Sequence, residues 1–151
     1  MLKTELVVSH YNENLDWLNK VSKHFDKVTI YHKGGHPSFE NVLPNIGREA
    51  HTYLWHIANS NEFAQNTVFT QGNPSDHLND VTLLYKFTES PFEWIGNYCY
   101  MSNEFGDPWC NKWKFPCKEV ASLAGIQLPD WWSFCPYANF KVTQDCLDKF
   151  K

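Results

Sequence analysis

The chain opens on a short apolar run, Glu5 to Ser9 (ELVVS), whose length and β-branched content predict a buried strand. Asn12 or Asn14 then caps a predicted helix to about Phe25, with Leu15, Leu18, Val21 and Phe25 at helical spacing. Lys27 to Tyr31 (KVTIY) reads as a second strand, broken by Gly34-Gly35, and a loop through His36-Pro37 runs to about Pro44. The clearest helix spans Ile46 to Ala58. Ile46, Ala50, Tyr53, Leu54 and Ile57 make one apolar face, and Asn45 is the candidate N-cap. Thr67 to Thr70 (TVFT) is a third strand, stopped by Gln71-Gly72-Asn73-Pro74 and followed by a short helix near Leu78 to Tyr85. Pro91 to Trp113 mixes Trp, Tyr, Gly and Asn and is expected to be loop with a short strand. Pro116 to Ala124 has proline at its first turn and Gly125 just past its end, which predicts another helix. Tyr137 to Val142 is a late strand, and Thr143 caps a terminal helix, Gln144 to Lys151.

The order is βαβαβ, then αβα. Strands alternating with helices predict an α/β fold: a mixed, mostly parallel sheet flanked by helices on both faces. No linker, repeat or low-complexity segment divides the 151 residues, so a single domain over 1–151 is expected.

Composition narrows the function classes. Net charge is −4 and no run of Lys or Arg appears, which argues against nucleic acid as a partner. One Arg and a helix N-terminus can still hold a small phosphate-bearing ligand. The N-terminal apolar stretch is too short for a signal peptide, and no stretch is long and apolar enough for a membrane span. The five cysteines, Cys99, Cys110, Cys117, Cys135 and Cys146, form no CxxC pair and read as reduced thiols of a cytoplasmic protein; spacing alone leaves a Cys110–Cys117 bridge open. Aromatics make up 17% of the chain; Trp94, Tyr98, Tyr100, Trp109, Trp113, Trp131 and Trp132 could form a sugar-stacking platform or ordinary packing.

Ligands of open α/β sheets sit beyond the carboxyl ends of the strands. Three polar segments follow the predicted strands: Ser9-His10-Tyr11-Asn12-Glu13, His32-Lys33-Gly34-Gly35-His36, and Gln71-Gly72-Asn73-Pro74-Ser75-Asp76-His77. Their convergence on one rim is the functional signal. Arg48 and Glu49 open the helix nearby. An Arg in a first turn opposes the helix dipole, so it is expected to reach an anion such as a diphosphate, or to pair with Glu49 or Glu13. Asp76 and His77 can serve as metal ligands or as general acid–base groups, although Asp76 is also placed to cap the helix near Leu78. His51 and His56 lie about 140° apart on a helix and cannot share one metal; His56 reads as a surface or packing residue.

The segments VVSHYNENLDWL, VTIYHKGG, LPNIGREAHTYLWHI, TVFTQGNPSDH and YANFKVTQDCL occur in that order. Together they resemble an uncharacterised domain-of-unknown-function family with a VxxYNExLxWL, NxGREAxTYLxxI and VFxQGxPxDH signature. That family in turn resembles A-type nucleotide-sugar glycosyltransferases. The resemblance covers essentially the whole chain. It implies a compact fold in which the first strand and its turn, Ser9 to Glu13, hold the nucleotide, Arg48 lies near the diphosphate, and the third strand ends at the Asp-x-Asp metal position. That position reads Gln71-Gly72-Asn73 here, with a neutral amide where the metal enzymes carry a carboxylate. Hard cations such as Mn²⁺ or Mg²⁺ favour anionic oxygen ligands, so metal binding requires Asp76 or His77 to substitute.

The resemblance thus implies transfer of a sugar from a nucleotide-sugar to a carbohydrate or small-molecule acceptor. Two other functions fit the residues: a non-catalytic sugar or nucleotide binder that has lost its metal site, and a small metal-dependent hydrolase built from His10, Asp76 and His77.

Overall fold

The structure, a computed structural model, describes residues 2–36, 38–96, 99–102, 122–123, 131–134 and 138–150. Its strands in chain order are β1 (Thr4–His10), β2 (Lys27–His32), β3 (Asn41–Val42), β4 (Asn66–Gln71), β5 (Phe92–Trp94), β6 (Cys99–Ser102), β7 (Trp131–Phe134) and β8 (Phe140–Thr143). The α-helices whose bounds fall among the described residues are α1 (Leu18–Val21), α2 (Arg48–Asn59) and α3 (Gln144–Leu147). The chain divides into two compact units, residues 1–96 with 137–151, and residues 97–136. In the second unit β6 and β7 form an antiparallel pair, with Cys99 opposite Phe134. Of the expected 116–124 helix only residues 122–123 are described, and they are helical; most of the proposed aromatic platform and the Cys110–Cys117 pair lie outside the described residues or side chains, and Cys146 is a free thiol.

The first unit is an α/β fold around a mixed sheet of order β3-β2-β1-β4-β8-β5. β3, β2, β1 and β4 are mutually parallel, and β8 is antiparallel to both of its neighbours. No helix among the described residues is long and apolar enough to cross a membrane. The LVV run of β1 is apolar on successive residues because both of its faces are covered. Leu6 and Val8 join Trp17, Val21, Phe25, Leu78 and Leu84 in one buried cluster, while Val7 joins Tyr53, Phe63, Phe69 and Leu147 in another.

Several helices depart from expectation. The first begins at Leu18 rather than at Asn12 or Asn14 and ends in a 3-10 turn, Ser22–His24. Polar side chains hold the preceding residues in turns instead: the Glu13 carboxylate accepts from the backbone N–H of Tyr11 at 2.7 Å and Asn12 at 3.2 Å, and Asn14 Oδ1 accepts from Asp16 N at 2.6 Å. Such local bonds compete with helix formation. The segment expected as a helix near Leu78 to Tyr85 forms one 3-10 stretch, Val81–Tyr85, and a second, Pro74–Asp76, precedes it. The cap of the second is Asp80, which accepts from Thr82 N, so Asp76 is not the helix cap. The terminal α-helix stops at Leu147 and passes into a 3-10 turn.

Helix α2 is present, but its buried stripe is Thr52, Tyr53 and His56. Ile46 and Leu54, assigned to the apolar face by spacing, are 58% and 66% exposed. The buried polar groups are matched: Thr52 Oγ1 bonds Ser9 Oγ at 2.8 Å, and His56 Nδ1 lies 3.1 Å from the Tyr31 hydroxyl. His56 is therefore an interior residue. Its Nε2 lies 3.7 Å from Oε2 of Glu5, a fully buried carboxylate whose Oε1 accepts from Lys27 Nζ at 2.9 Å and Thr29 Oγ1 at 2.6 Å.

Burial holds the His56 imidazole below its ordinary value, with Lys27 adding to that effect and Glu5 opposing it. Burial likewise lowers His32, aided by the neighbouring His10 and His36. A histidine kept neutral in the folded chain takes up its proton on unfolding. Its contribution is therefore complete above the unfolded value, about 6.5, and is lost as pH falls toward the depressed folded value. Urea midpoints are expected to be flat from about pH 7 to 8 and to fall from about pH 6.5 to 5, before most carboxylates titrate. A midpoint that rises over that acid range contradicts this assignment.

Candidate functional site

The chain leaves β1 for β2 on one side and later returns to β4 on the other. The crevice between the carboxyl ends of β1 and β4 is thus the topological switch point of the parallel strands. Ser9 and Gln71 are register partners at that end. A cleft of about 310 Å³ opens there.

Four stretches of chain wall it. Ser9, His10, Tyr11 and Glu13 come from the end of β1 and its turn, Lys33 from just past β2, Asn45, Arg48 and Glu49 from the approach to α2 and its start, and Gln71, Asn73, Asp76 and His77 from the end of β4 and the turn after it. The expected gathering of His10, Arg48, Gln71 and Asp76 around one cleft is found. Two residues stand apart from its lining. Asn12 lines an adjoining cavity that shares His10, Tyr11 and Glu13. Gly72 is buried behind the wall, where its carbonyl accepts from Trp17 Nε1 at 2.8 Å; a Cβ here would collide with Glu13 Oε2. Glycine at 72 is what lets Glu13 fold against the β4 loop and hold the Tyr11–Asn12 turn.

Arg48 is exposed at the mouth of the cleft and makes no ion pair among the described residues; neither Glu49 nor Glu13 is its partner. Its backbone is unusual. Gly47 (φ 59°) and Arg48 (φ 48°) are both left-handed, and the helix N-cap is Gly47, without a side-chain cap, rather than Asn45. A non-glycine residue in this region costs about 1–2 kcal/mol. Lys33 holds the turn: its ammonium, buried at the cleft wall, donates to the carbonyls of Ile46 and Arg48. Burial lowers the Lys33 ammonium below its ordinary value, and Glu49 opposes the shift.

The turn after β4 is tied internally. Gln71 Nε2 donates to the Asn73 carbonyl at 2.8 Å, and Asn73 Nδ2 donates to Asp76 Oδ1 at 2.7 Å. Asp76 is the single carboxylate of this turn, and among the described residues no group of three or more His, Cys, Asp or Glu is placed to hold a metal ion. Asp76 is thus the one anionic oxygen donor that this turn offers Mn²⁺ or Mg²⁺, whose other ligands would come from a diphosphate and water.

Sequence reasoning placed Lys33 and His32 on the rim without singling them out, and missed Asn139. Asn139 is fully buried; its Oδ1 accepts from Thr70 Oγ1 at 2.8 Å and from Gln71 N at 3.4 Å, fixing the end of β4. Its place inside the predicted Tyr137–Val142 strand carried no signal of a polar role. The fold and cleft define an α/β protein with a polar switch-point site. No family model, curated protein or solved structure matches the chain.

Proposed function

We propose that the first unit is a compact A-type glycosyltransferase-like domain with helices on both faces of its sheet, and that its cleft binds a nucleotide-sugar. The observation that carries this reading is the Arg48 guanidinium, without an ion pair among the described residues and held in a left-handed turn at the mouth of the switch-point cleft. An Arg fork beside free helix N–H groups suits a diphosphate. The Ser9–Glu13 turn holds the nucleotide, with Gln71, Asn73 and Glu49 as polar walls. In transfer, the bond between the sugar and the diphosphate breaks as an acceptor hydroxyl bonds to the sugar carbon; Asp76 or His77 takes the hydroxyl proton. No step is assigned to a metal; Asp76 is the residue that would hold one against the diphosphate. Gln71 also favours a second reading, a binder of the same ligands without catalysis.

Thermal shift with nucleoside diphosphates, nucleotide-sugars, free sugars and Mn²⁺ tests these readings. Stabilisation by a nucleoside diphosphate without added metal is expected. Stabilisation by free sugars alone supports a sugar binder, and stabilisation by Mn²⁺ with no nucleotide effect supports a metal-dependent hydrolase. Release of nucleoside diphosphate on turnover separates transferase from binder.

A further inference from the structure

The cavity beside the cleft, about 360 Å³, holds one carboxylate, Glu13, and neither Lys nor Arg among its described lining residues. Rings make up most of the remaining wall. Phe39 is their hub: His32 stacks on it with centroids 4.3 Å apart, His10 tilts against it at 5.0 Å, and His36 meets it edge-on at 6.2 Å. These mutual contacts hold the wall in place without a ligand. Tyr11 also lines the cavity. It is 45% exposed, and its side chain makes no hydrogen bond or ring contact among the described residues, so its aromatic surface is available to a ligand.

The carboxylate is anchored on one side only. Glu13 Oε2 accepts from the N–H groups of Tyr11 and Asn12, which fixes the group in place. Oε1 accepts nothing among the described residues and stays open to solvent, on a side chain 34% exposed. The one basic group that Glu13 pairs with among the described residues is the buried His10. His10 Nε2 lies 3.9 Å from Oε2 and bonds the Glu13 carbonyl at 3.0 Å, and the pair is ionic only when that imidazole is protonated. A fixed carboxylate with an open oxygen and no permanent counter-ion, set among rings, is complementary to a cation. The rings also select the kind of cation. A primary ammonium brings three N–H donors and strong hydration, which aromatic surface does not replace. A quaternary ammonium has no N–H to satisfy, and both ring faces and the carboxylate attract it.

We infer that this cavity binds a quaternary ammonium headgroup, seated between the Glu13 carboxylate and the rings of Tyr11 and Phe39. The inference goes beyond the cleft reading and does not depend on Arg48. Calorimetry with choline, and with its uncharged isostere in which a tert-butyl group replaces the trimethylammonium, isolates the charge. Choline is expected to bind about tenfold or more tightly than the isostere, and more tightly than ethanolamine, its primary-amine counterpart. Side-chain NMR signals of Tyr11, His36 and Phe39 are expected to move on adding choline. Glu13→Gln keeps an acceptor for the Tyr11 and Asn12 N–H groups, removes the charge and is expected to erase the preference over the isostere. Tyr11→Leu, at an exposed position, removes one ring and is expected to weaken choline about threefold or more with the thermal midpoint unchanged. Circular dichroism checks the folding of both variants. Equal binding of choline and its isostere overturns the inference. So does tighter binding of ethanolamine, a choline preference that survives Glu13→Gln, or no choline binding at all. Sedimentation with phosphatidylcholine vesicles distinguishes the source of the headgroup: none is expected for a small free molecule, while sedimentation that choline competes away supports the same chemistry on a lipid. Choline binding that survives Arg48→Ala, with diphosphate affinity lost, separates this site from the cleft; diphosphate binding with no choline binding overturns this inference and leaves the cleft reading standing.

Discussion

Lys27→Met is expected to cost more stability than Glu5→Met, although Lys27 is 50% exposed and Glu5 is fully buried. Glu5 and Lys27 are register partners at the start of β1 and β2, and the ammonium is the one cation within 3 Å of the carboxylate among the described residues. Taking it away strands a charge in the interior, with one hydroxyl donor left on Oε1 and none on Oε2. Breaking an enclosed pair from one side typically costs about 3–5 kcal/mol; with half of Lys27 already in water, about 2–4 kcal/mol is expected. Glu5→Met removes the charge itself. It leaves the Thr29 hydroxyl without its acceptor, a loss of about 1–2 kcal/mol, while Lys27 turns into solvent. The double variant should then match Glu5→Met. Urea denaturation of the four proteins gives the cycle directly, with a coupling of about 2–4 kcal/mol expected. Additive losses, or a Lys27→Met cost under about 0.5 kcal/mol, mark the pair as an ordinary surface contact.

Arg48→Ala is expected to weaken nucleoside-diphosphate binding roughly tenfold or more, since a charge-assisted, two-pronged contact contributes about 1.5–3 kcal/mol. Arg48→Lys should recover part of this, keeping the charge and losing the fork. Arg48→Gly separates function from architecture. The residue sits at φ 48°, which glycine adopts without cost, so this variant should lose binding and gain about 1 kcal/mol of stability. A residue kept for an ion pair would show the reverse: lower stability and unchanged affinity. Calorimetric titration beside a denaturation curve on each variant decides. Unchanged affinity in Arg48→Ala removes Arg48 from the site.

The strands were legible because their pattern is coarse and local. ELVVS, KVTIY and TVFT are short β-branched runs ended by glycine, proline or polar residues, and each appears within a residue or two of where it was expected. The rim was legible for the same reason, since strand ends fix where polar segments converge. The inner face of α2 was not. A hydrophobic pattern cannot see that Thr52 and His56 are buried, because their partners Ser9, Tyr31 and Glu5 lie on other elements. Nor can it see Lys33, whose carbonyl partners come thirteen and fifteen positions later. The late start of α1 depends on Glu13 choosing backbone N–H groups over solvent, a choice made possible by Gly72 far along the chain.

The place of β8 in the sheet sets an order of assembly. β5 is complete in sequence well before β8, yet its ladder partner in the sheet is β8, which also closes the open side of β4. During synthesis the parallel half, β3-β2-β1-β4, can form while Phe92–Trp94 waits, and the edge of β4 stays open to other strands until Phe140–Thr143 emerges. A nascent chain stalled short of β8 is therefore a template for strand exchange, and the last pairing step closes a long loop, which makes it the slow one.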